Sequence, residues 1–279
     1  MNIQWYPGHM TKARRMMQEN IKLVDVVVEL VDARVPVSSR NPEMAQITNN
    51  KPRFVVLNKI DLADPKRTAE WIQKFKEESL PSVCVNARTG EGLPAVLTAA
   101  REACKDKIAR DKRRGMMNRP IRAMIVGIPN VGKSTFINKL VGRATAKTGN
   151  KPGVTKGKQW IKIKKDIELL DTPGILWPKF EDRTVGLRLA FIGSIREEIL
   201  DAETLALELV RFFKNDYRND FLQKYPIEDF EGKEPHDILR EMAKMRNLLA
   251  SHGEPDVHRL SKMFLEEFRN GKMGSFTLE

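Results

Sequence analysis

The sequence predicts an α/β fold: a mostly parallel sheet with helices on both faces, followed by a smaller all-α domain. Three observations carry this. Up to residue 171, short apolar runs alternate with longer amphipathic ones, the pattern of strand–helix–strand units. Those runs are apolar almost throughout, DVVVELVD at 25–32 being one, as strands covered on both sides are. Beyond Pro178 strand-like runs vanish, helical periodicity dominates and the charge turns negative. The boundary is placed there, giving domains 1–178 and 179–279.

Taken in order, residues 10–22 read as a helix, 25–32 as a buried strand and RFVVLN at 53–58 as a second strand. A helix over 66–79 follows, with Asp64 as its N-cap and Pro65 in its first turn. SVCVN at 82–86 is a short strand, and 92–114 a helix ending in the basic run KRRG. IRAMIVG at 121–127 is a strand, followed by a Gly/Pro turn and a helix from about 132 to 141. Residues 142–157, rich in Gly, Lys and Thr, read as a loop. Residues 158–164 and 167–171 are two strands joined around Lys165 and Asp166.

The 279 residues hold 49 Lys+Arg and 37 Asp+Glu, a net charge of +12. With 41% hydrophobic and 31% charged residues, the chain is globular rather than disordered or fibrous. Residues 1–179 carry 34 basic and 17 acidic groups, whereas residues 180–279 carry 15 and 20. This asymmetry points to a polyanionic partner for the first part. Cys84 and Cys104 are too few for a disulfide framework or a four-ligand zinc site. MNIQWYPGHMTKARR lacks the apolar core of a signal peptide, and no run approaches the roughly 20 apolar residues that cross a bilayer. A reduced, cytoplasmic chain is expected.

The chemistry begins at residues 127–134, GIPNVGKS, which fit G-x-x-x-x-G-K-[ST] between a strand and a helix. Gly127 and Gly132 let the backbone fold around phosphate with its N–H groups inward, and the following helix adds its positive end. The nucleotide-binding stretch runs Pro129, Asn130, Val131, Gly132, Lys133, Ser134 and Thr135. Lys133 would reach the β- and γ-phosphates, and Ser134 would give its hydroxyl to Mg²⁺. DTPG at 171–174 supplies Asp171 for a Mg²⁺-linked water and Gly174 for a backbone N–H toward the γ-phosphate. Between them Thr155, in KPGVT, would complete the Mg²⁺ shell in the manner of a switch loop.

NKID at 58–61 resembles the N-K-x-D guanine-specificity motif. Asp61 would accept the two donors of the guanine N1/N2 edge, which adenine lacks. Asn58 would meet the ring from another side and brace the phosphate loop, and the Lys59 stem would lie over the base. Residues Asn86, Ala87 and Arg88 resemble the S-A-K loop that meets the guanine carbonyl. Asn86 replaces Ser and Arg88 replaces Lys, so the backbone N–H of Ala87 is the expected contact. In most GTPases the base motifs follow the phosphate motifs. Here NKID and NAR come first, so the chain reads as a circularly permuted P-loop GTPase domain. The chain leaving DTPG then runs directly into the helical domain, and a shift of that loop would move it.

IQWYPGHM, DARVPVSSRNP at 32–42, GIPNVGKSTFINKL and DTPGILWPKFED together resemble the YlqF-type ribosome biogenesis GTPase A family. The match covers most of the chain and is strongest over 1–185. The resemblance implies a cytoplasmic GTP/GDP-cycling enzyme that assists late assembly of the large ribosomal subunit. It also implies a helical C-terminal domain that contributes to rRNA contact.

Many GTPases carry a Gln directly after D-x-x-G, where this chain has Ile175. An apolar side chain orients no water, so slow intrinsic hydrolysis, stimulated by the ribosomal particle, is expected. His9 is one candidate for orienting the water, as a neutral imidazole. A K⁺ ion held by Asn130 is the other. His236, His252 and His258 lack metal spacing.

Residues 139–165 contain nine Lys/Arg and no acid, and residues 101–122 nine Lys/Arg against three acids. Lys12, Arg14, Arg15 and Lys22 add to these. Such surfaces suit RNA phosphates, not a membrane, and no DNA partner is expected. The acidic balance of 180–279 restricts any RNA contact there to a local patch. The alternative reading is a nucleotide-gated RNA-binding module in which hydrolysis is only a slow timer. A P-loop kinase is disfavoured by NKID and DTPG.

Overall fold

A computed structural model of the chain describes residues 8–48, 51–116, 119–142, 159–163, 166–172, 174, 176, 182–195 and 201–279. The described strands are β1 (Val26–Asp32), β2 (Arg53–Asn58), β3 (Ser82–Val85), β4 (Ile121–Val126), β5 (Gln159–Ile163) and β6 (Ile167–Asp171). They form one sheet in the order β3-β2-β1-β4-β6-β5, in which only the β5–β6 pair is antiparallel. The expected parallel sheet is therefore present, and of the expected 158–164 and 167–171 strands the described residues form the antiparallel β5–β6 pair.

Helices α1 (Gly8–Asn20), α2 (Met44–Ile47), α3 (Pro65–Glu77), α4 (Leu93–Ala103), α5 (Lys105–Arg113) and α6 (Lys133–Val141) lie among the strands. Successive side chains of a strand face opposite ways, and the core divides accordingly. Val26, Val28 and Leu30 join the cluster of α4 and α6, whereas Val27 joins that of α1 and Val31 that of α3. Every residue of β1 is buried, which is why it shows no alternation in sequence. The Asp64 side chain caps α3 by accepting from the Lys66 and Arg67 N–H groups, as predicted. Such a cap is worth about 1 kcal/mol.

One prediction is corrected. Residues 92–114 form two helices, not one, because the chain turns at Cys104. The turn brings Lys107 to Asp25 at 3.2 Å, beneath the start of β1.

The later helices are α7 (Arg183–Phe191), α8 (Ala202–Asp216), α9 (Arg218–Lys224), α10 (Pro235–Met245) and α11 (Val257–Arg269). Their core is not separate from the sheet's: Leu189, Leu209, Phe213 and Phe264 belong to the same cluster as Val28 and Ile125. Phe213 meets Phe221, Phe268 and Phe276 with ring centroids 5.0–6.2 Å apart. The final residues return to the sheet. Phe276 N–H donates to the Leu62 carbonyl and Leu278 N–H to that of Arg34. Thr277 is fully buried, and its hydroxyl accepts from the Asp64 N–H. Among the described residues, no helix is long and apolar enough to cross a membrane.

Candidate functional site

Parallel strands end on a common edge, and ligands of open α/β sheets bind outside the carboxyl ends. That edge collects Asp32 from β1, Asn58 from β2, Asn86 after β3, Gly127 after β4 and Asp171 from β6. Motifs some 70 residues apart thus touch, as Asn58 and Val131 do.

The GIPNVGKS loop is held from behind. Its successive carbonyls each accept a side-chain donor. Lys133 Nζ donates to Gly127 O at 3.1 Å and to Ile128 O at 3.0 Å. Ser194 Oγ donates to Pro129 O at 2.9 Å, Lys59 Nζ to Asn130 O at 2.7 Å, and Asn58 Nδ2 to Val131 O at 2.9 Å. Carbonyls committed in this way leave the opposite side of the loop to N–H groups, the side an anion needs. Close approach sets the glycines. A Cβ on Gly127 would lie 2.5 Å from the Leu30 carbonyl, and one on Gly132, where φ is +95°, 2.6 Å from Asn58 Nδ2. Asn130 also takes a positive φ, 58°.

Asn58 joins the two groups of motifs. Besides its bond to Val131, its Oδ1 accepts the Ala87 N–H at 3.1 Å. The expected bracing of the loop is therefore in place. Asn86 holds its own turn, its side chain accepting from the Arg88 and Thr89 N–H groups. Asp61 pairs with Arg88 at 3.1 Å, a surface contact in which Arg88 is 79% exposed.

Lys59 sits in the left-handed region at φ 62°. Its ammonium reaches Asp32 at 2.9 Å as well as Asn130 O. Asp32 also grips Arg34 with both oxygens, at 2.9 Å each. Burial pushes the Asp32 carboxyl upward, but Arg34 and then Lys59 outweigh it and hold the group well below the usual range. Burial lowers Lys59, and Asp32 opposes that. Asp32 and Arg34 belong to the DARVP run, to which the sequence alone assigns no role. Their signal was two opposite charges at the end of a buried strand.

Lys133 is buried at the start of α6, and burial pulls its ammonium down to about 8, with Asp171 opposing. Asp171 is buried at the tip of β6, next to β4. Gly174 lies against the loop: a Cβ there would be 2.8 Å from Pro129 N and 3.0 Å from Lys133 Nζ. Ser134 is half-buried and Thr135 exposed on the first turn of α6. Thr155, Ile175, Trp177 and the 178 boundary lie outside the described residues. His9 is in α1, and its side chain is likewise outside the description.

Gly193 and Ser194 were not singled out from the sequence. They form the turn after α7 and touch the loop twice, since Asn130 Nδ2 also donates to Gly193 O at 2.7 Å. Nothing in the run F-I-G-S announces this.

A basic face lies at the other end of the sheet. Arg110, Lys112, Arg113 and Arg114 are exposed along α5. The same end is marked by Lys107 on Asp25 and by Arg101 on Asp166, at the starts of β1 and β6. The basic run 143–158 lies outside the described residues.

A family model described as 50S ribosome-binding GTPase matches residues 122–237. NKID precedes that match, as the permuted order requires. Ribosome biogenesis GTPase A of Bacillus cereus is 48% identical over 282 residues, spanning 100% of this chain and 94% of its own. The Thermotoga maritima protein of that name is 32% identical, spanning 99% of this chain and 94% of its own. The GNP-bound crystal structure of YlqF from T. maritima is similar with a TM-score of 0.68 at 29% identity. It covers 96% of this chain and 97% of that one.

Proposed function

The chain belongs to the ribosome biogenesis GTPase A family and is a GTPase, and from that premise we propose that the loops gathered at the carboxyl edge bind its guanine nucleotide and that it acts in late maturation of the large ribosomal subunit. The observation that carries the nucleotide reading is Asn58, whose one side chain ties the Ala87 turn to the GIPNVGKS loop. Base-reading and phosphate-binding segments are thereby held as one surface.

In this reading Asp61 accepts from the guanine N1/N2 edge and Ala87 donates its N–H to the carbonyl. Asn86 and Arg88 flank that contact through their turn. The GIPNVGKS N–H groups and Lys133 cradle the phosphates. A phosphate beside Lys133 offsets the burial that depresses its ammonium. Gly174 brings a backbone N–H over the same loop. Ser134, Thr155 and, through water, Asp171 are the Mg²⁺ residues. This is a hard-oxygen donor set of the kind Mg²⁺ takes. Bound Mg²⁺ neutralises charge on the transferring phosphoryl group.

His9 is the candidate in this chain for orienting the attacking water; Asn130, whose Nδ2 donates to Gly193 O, would hold a K⁺ ion if one binds, and the ion would supply positive charge there. The basic α5 face and the 139–165 run meet rRNA phosphates, with affinity that falls steeply as salt rises. The enzyme is cytoplasmic, slow alone and accelerated by the particle.

The test is GTP hydrolysis in K⁺ buffer, with and without purified large-subunit particles, for the wild type and His9→Ala. Many-fold stimulation that His9→Ala loses at unchanged GDP affinity places the water-orienting group in the N-terminal segment. Stimulation that survives moves it to K⁺ or to the particle. Absence of stimulation overturns the ribosomal role as activator and favours the slow-timer reading.

A further inference from the structure

We infer that Ser194, in the turn after α7, is a positioning residue for the phosphate loop, and that the helical region sets the loop's shape through it. The inference rests on the nucleotide reading of that loop and not on the ribosomal partner.

Among the described residues four side chains hold the loop's carbonyls, and three of them belong to recognised motifs: Lys133, Lys59 and Asn58. Ser194 is the fourth and lies 65 residues beyond Pro129, in another part of the fold. It is fully buried. Its partner, the Pro129 carbonyl, is the only hydrogen-bonding group Pro129 has, because proline carries no N–H. Without the hydroxyl that buried carbonyl loses its donor, which favours turning it toward the anion side of the loop. A carbonyl there opposes phosphate instead of binding it.

The contact is reciprocal. Gly193 O accepts from Asn130 Nδ2, and Asn130 holds the left-handed φ of 58° that Asn tolerates, its side chain tied to the turn. One turn therefore supports two adjacent loop residues.

The turn is itself fixed. Ser194 N–H closes on Leu189 O at 2.9 Å and Gly193 N–H on Ala190 O at 3.0 Å, the way a helix ends on a left-handed glycine. Gly193 has φ +74°. Arg269 of α11 caps the same helix end, donating to Ala190 O at 3.0 Å and Phe191 O at 3.1 Å. A cation at a helix C-terminus is favourably placed. The carbonyl of Arg269 in turn accepts from Arg34, the partner of Asp32. The turn is thus clamped between the phosphate loop and α11, and it cannot follow the loop without moving that clamp.

The experiment measures GDP affinity with a fluorescent GDP analogue for the wild type, Ser194→Ala, Ser194→Thr and Lys133→Ala. Thermal unfolding without nucleotide is recorded in parallel. One lost hydrogen bond of this kind corresponds to about tenfold. Ser194→Ala is expected to weaken GDP by about tenfold together with a modest fall in unfolding temperature, and Ser194→Thr, which keeps the hydroxyl, to restore most of the affinity. Wild-type GDP affinity in Ser194→Ala overturns the inference. A loss of thermal stability without loss of affinity also overturns it, since that is what a purely structural residue would show. If Lys133→Ala binds as the wild type, the nucleotide reading of the loop fails instead. Should Ser194→Ala not fold, Gly193→Ala supplies the same readout. Gly193 holds φ +74°, where alanine is strained, so the substitution disturbs the turn whose carbonyl accepts from Asn130, and unchanged affinity there again overturns the inference.

Discussion

Lys59 and Asp32 form a 2.9 Å ion pair in which the carboxylate is fully buried, and the same ammonium reaches the Asn130 carbonyl at 2.7 Å. A charge at the end of β1 therefore fixes the side chain that joins the NKID loop to the phosphate loop.

Asp32→Asn should destabilise the protein by about 3–5 kcal/mol at neutral pH, because Arg34 and Lys59 are left without their shared counter-charge. The pH dependence has a definite sign. The folded carboxyl lies below its ordinary value of 3.8, so its stabilisation is present above that value and lost as pH falls below it. Urea unfolding of both proteins should show a gap that is constant from pH 7 to 5, starts to narrow below about pH 4 and closes only at more acid pH, as the depressed folded value is reached. A gap that does not narrow below pH 4 would contradict the ion-pair account.

In the proposed binding mode Arg88, paired with Asp61 at 3.1 Å, would compete with guanine for that carboxylate. A surface pair contributes at most about 1 kcal/mol. Arg88→Ala should therefore tighten GDP binding by no more than about fivefold, whereas Asp61→Asn should weaken it strongly. Titration with the fluorescent analogue decides this, and weaker binding by Arg88→Ala would make Arg88 a ligand of the nucleotide.

Gly174→Ala places a Cβ 2.9 Å from Pro129 Cα. Backbone must move to admit it, at a cost of about 1–3 kcal/mol. Steady-state kcat/KM for GTP should fall, and the same strain should lower the urea unfolding free energy by about 1–3 kcal/mol. Normal turnover would remove Gly174 from contact with the loop during catalysis.

Phe276→Ala should cost about 3–5 kcal/mol in urea unfolding. The ring is 4% exposed and packs on Phe213 and Tyr217, each with centroids 5.0 Å away. Because the neighbouring Ser275 hydroxyl donates to Asp61 O at 3.0 Å, GDP affinity should fall as well. Loss of stability at unchanged affinity would separate the tail from the NKID loop.

Much of this was readable in one dimension. A strand is legible when its burial shows as an apolar run, so β1, β2, β4 and β6 were found within a residue or so of their ends. Phosphate binding needs Gly, Lys and Ser at fixed spacing, and guanine needs a carboxylate after N-K-x. Local chemistry of this kind survives permutation, because strand ends meet whatever their order. The break at Cys104 was missed because helical residues flank it on both sides. The turn there places Lys107 on Asp25, a contact between distant segments that the local sequence does not announce.

What the sequence by itself determined is the set of strands, the motifs on their carboxyl ends and the permuted order, since each depends on neighbours within a few residues. What only the tertiary structure decided is which groups stand behind those motifs. Ser194 under Pro129, Arg269 on the end of α7 and Thr277 beside Asp64 are single polar residues in unremarkable runs. Their partners lie 65, 79 and 213 residues away. A hydrogen bond carries no periodicity, and only burial of both ends together makes it matter.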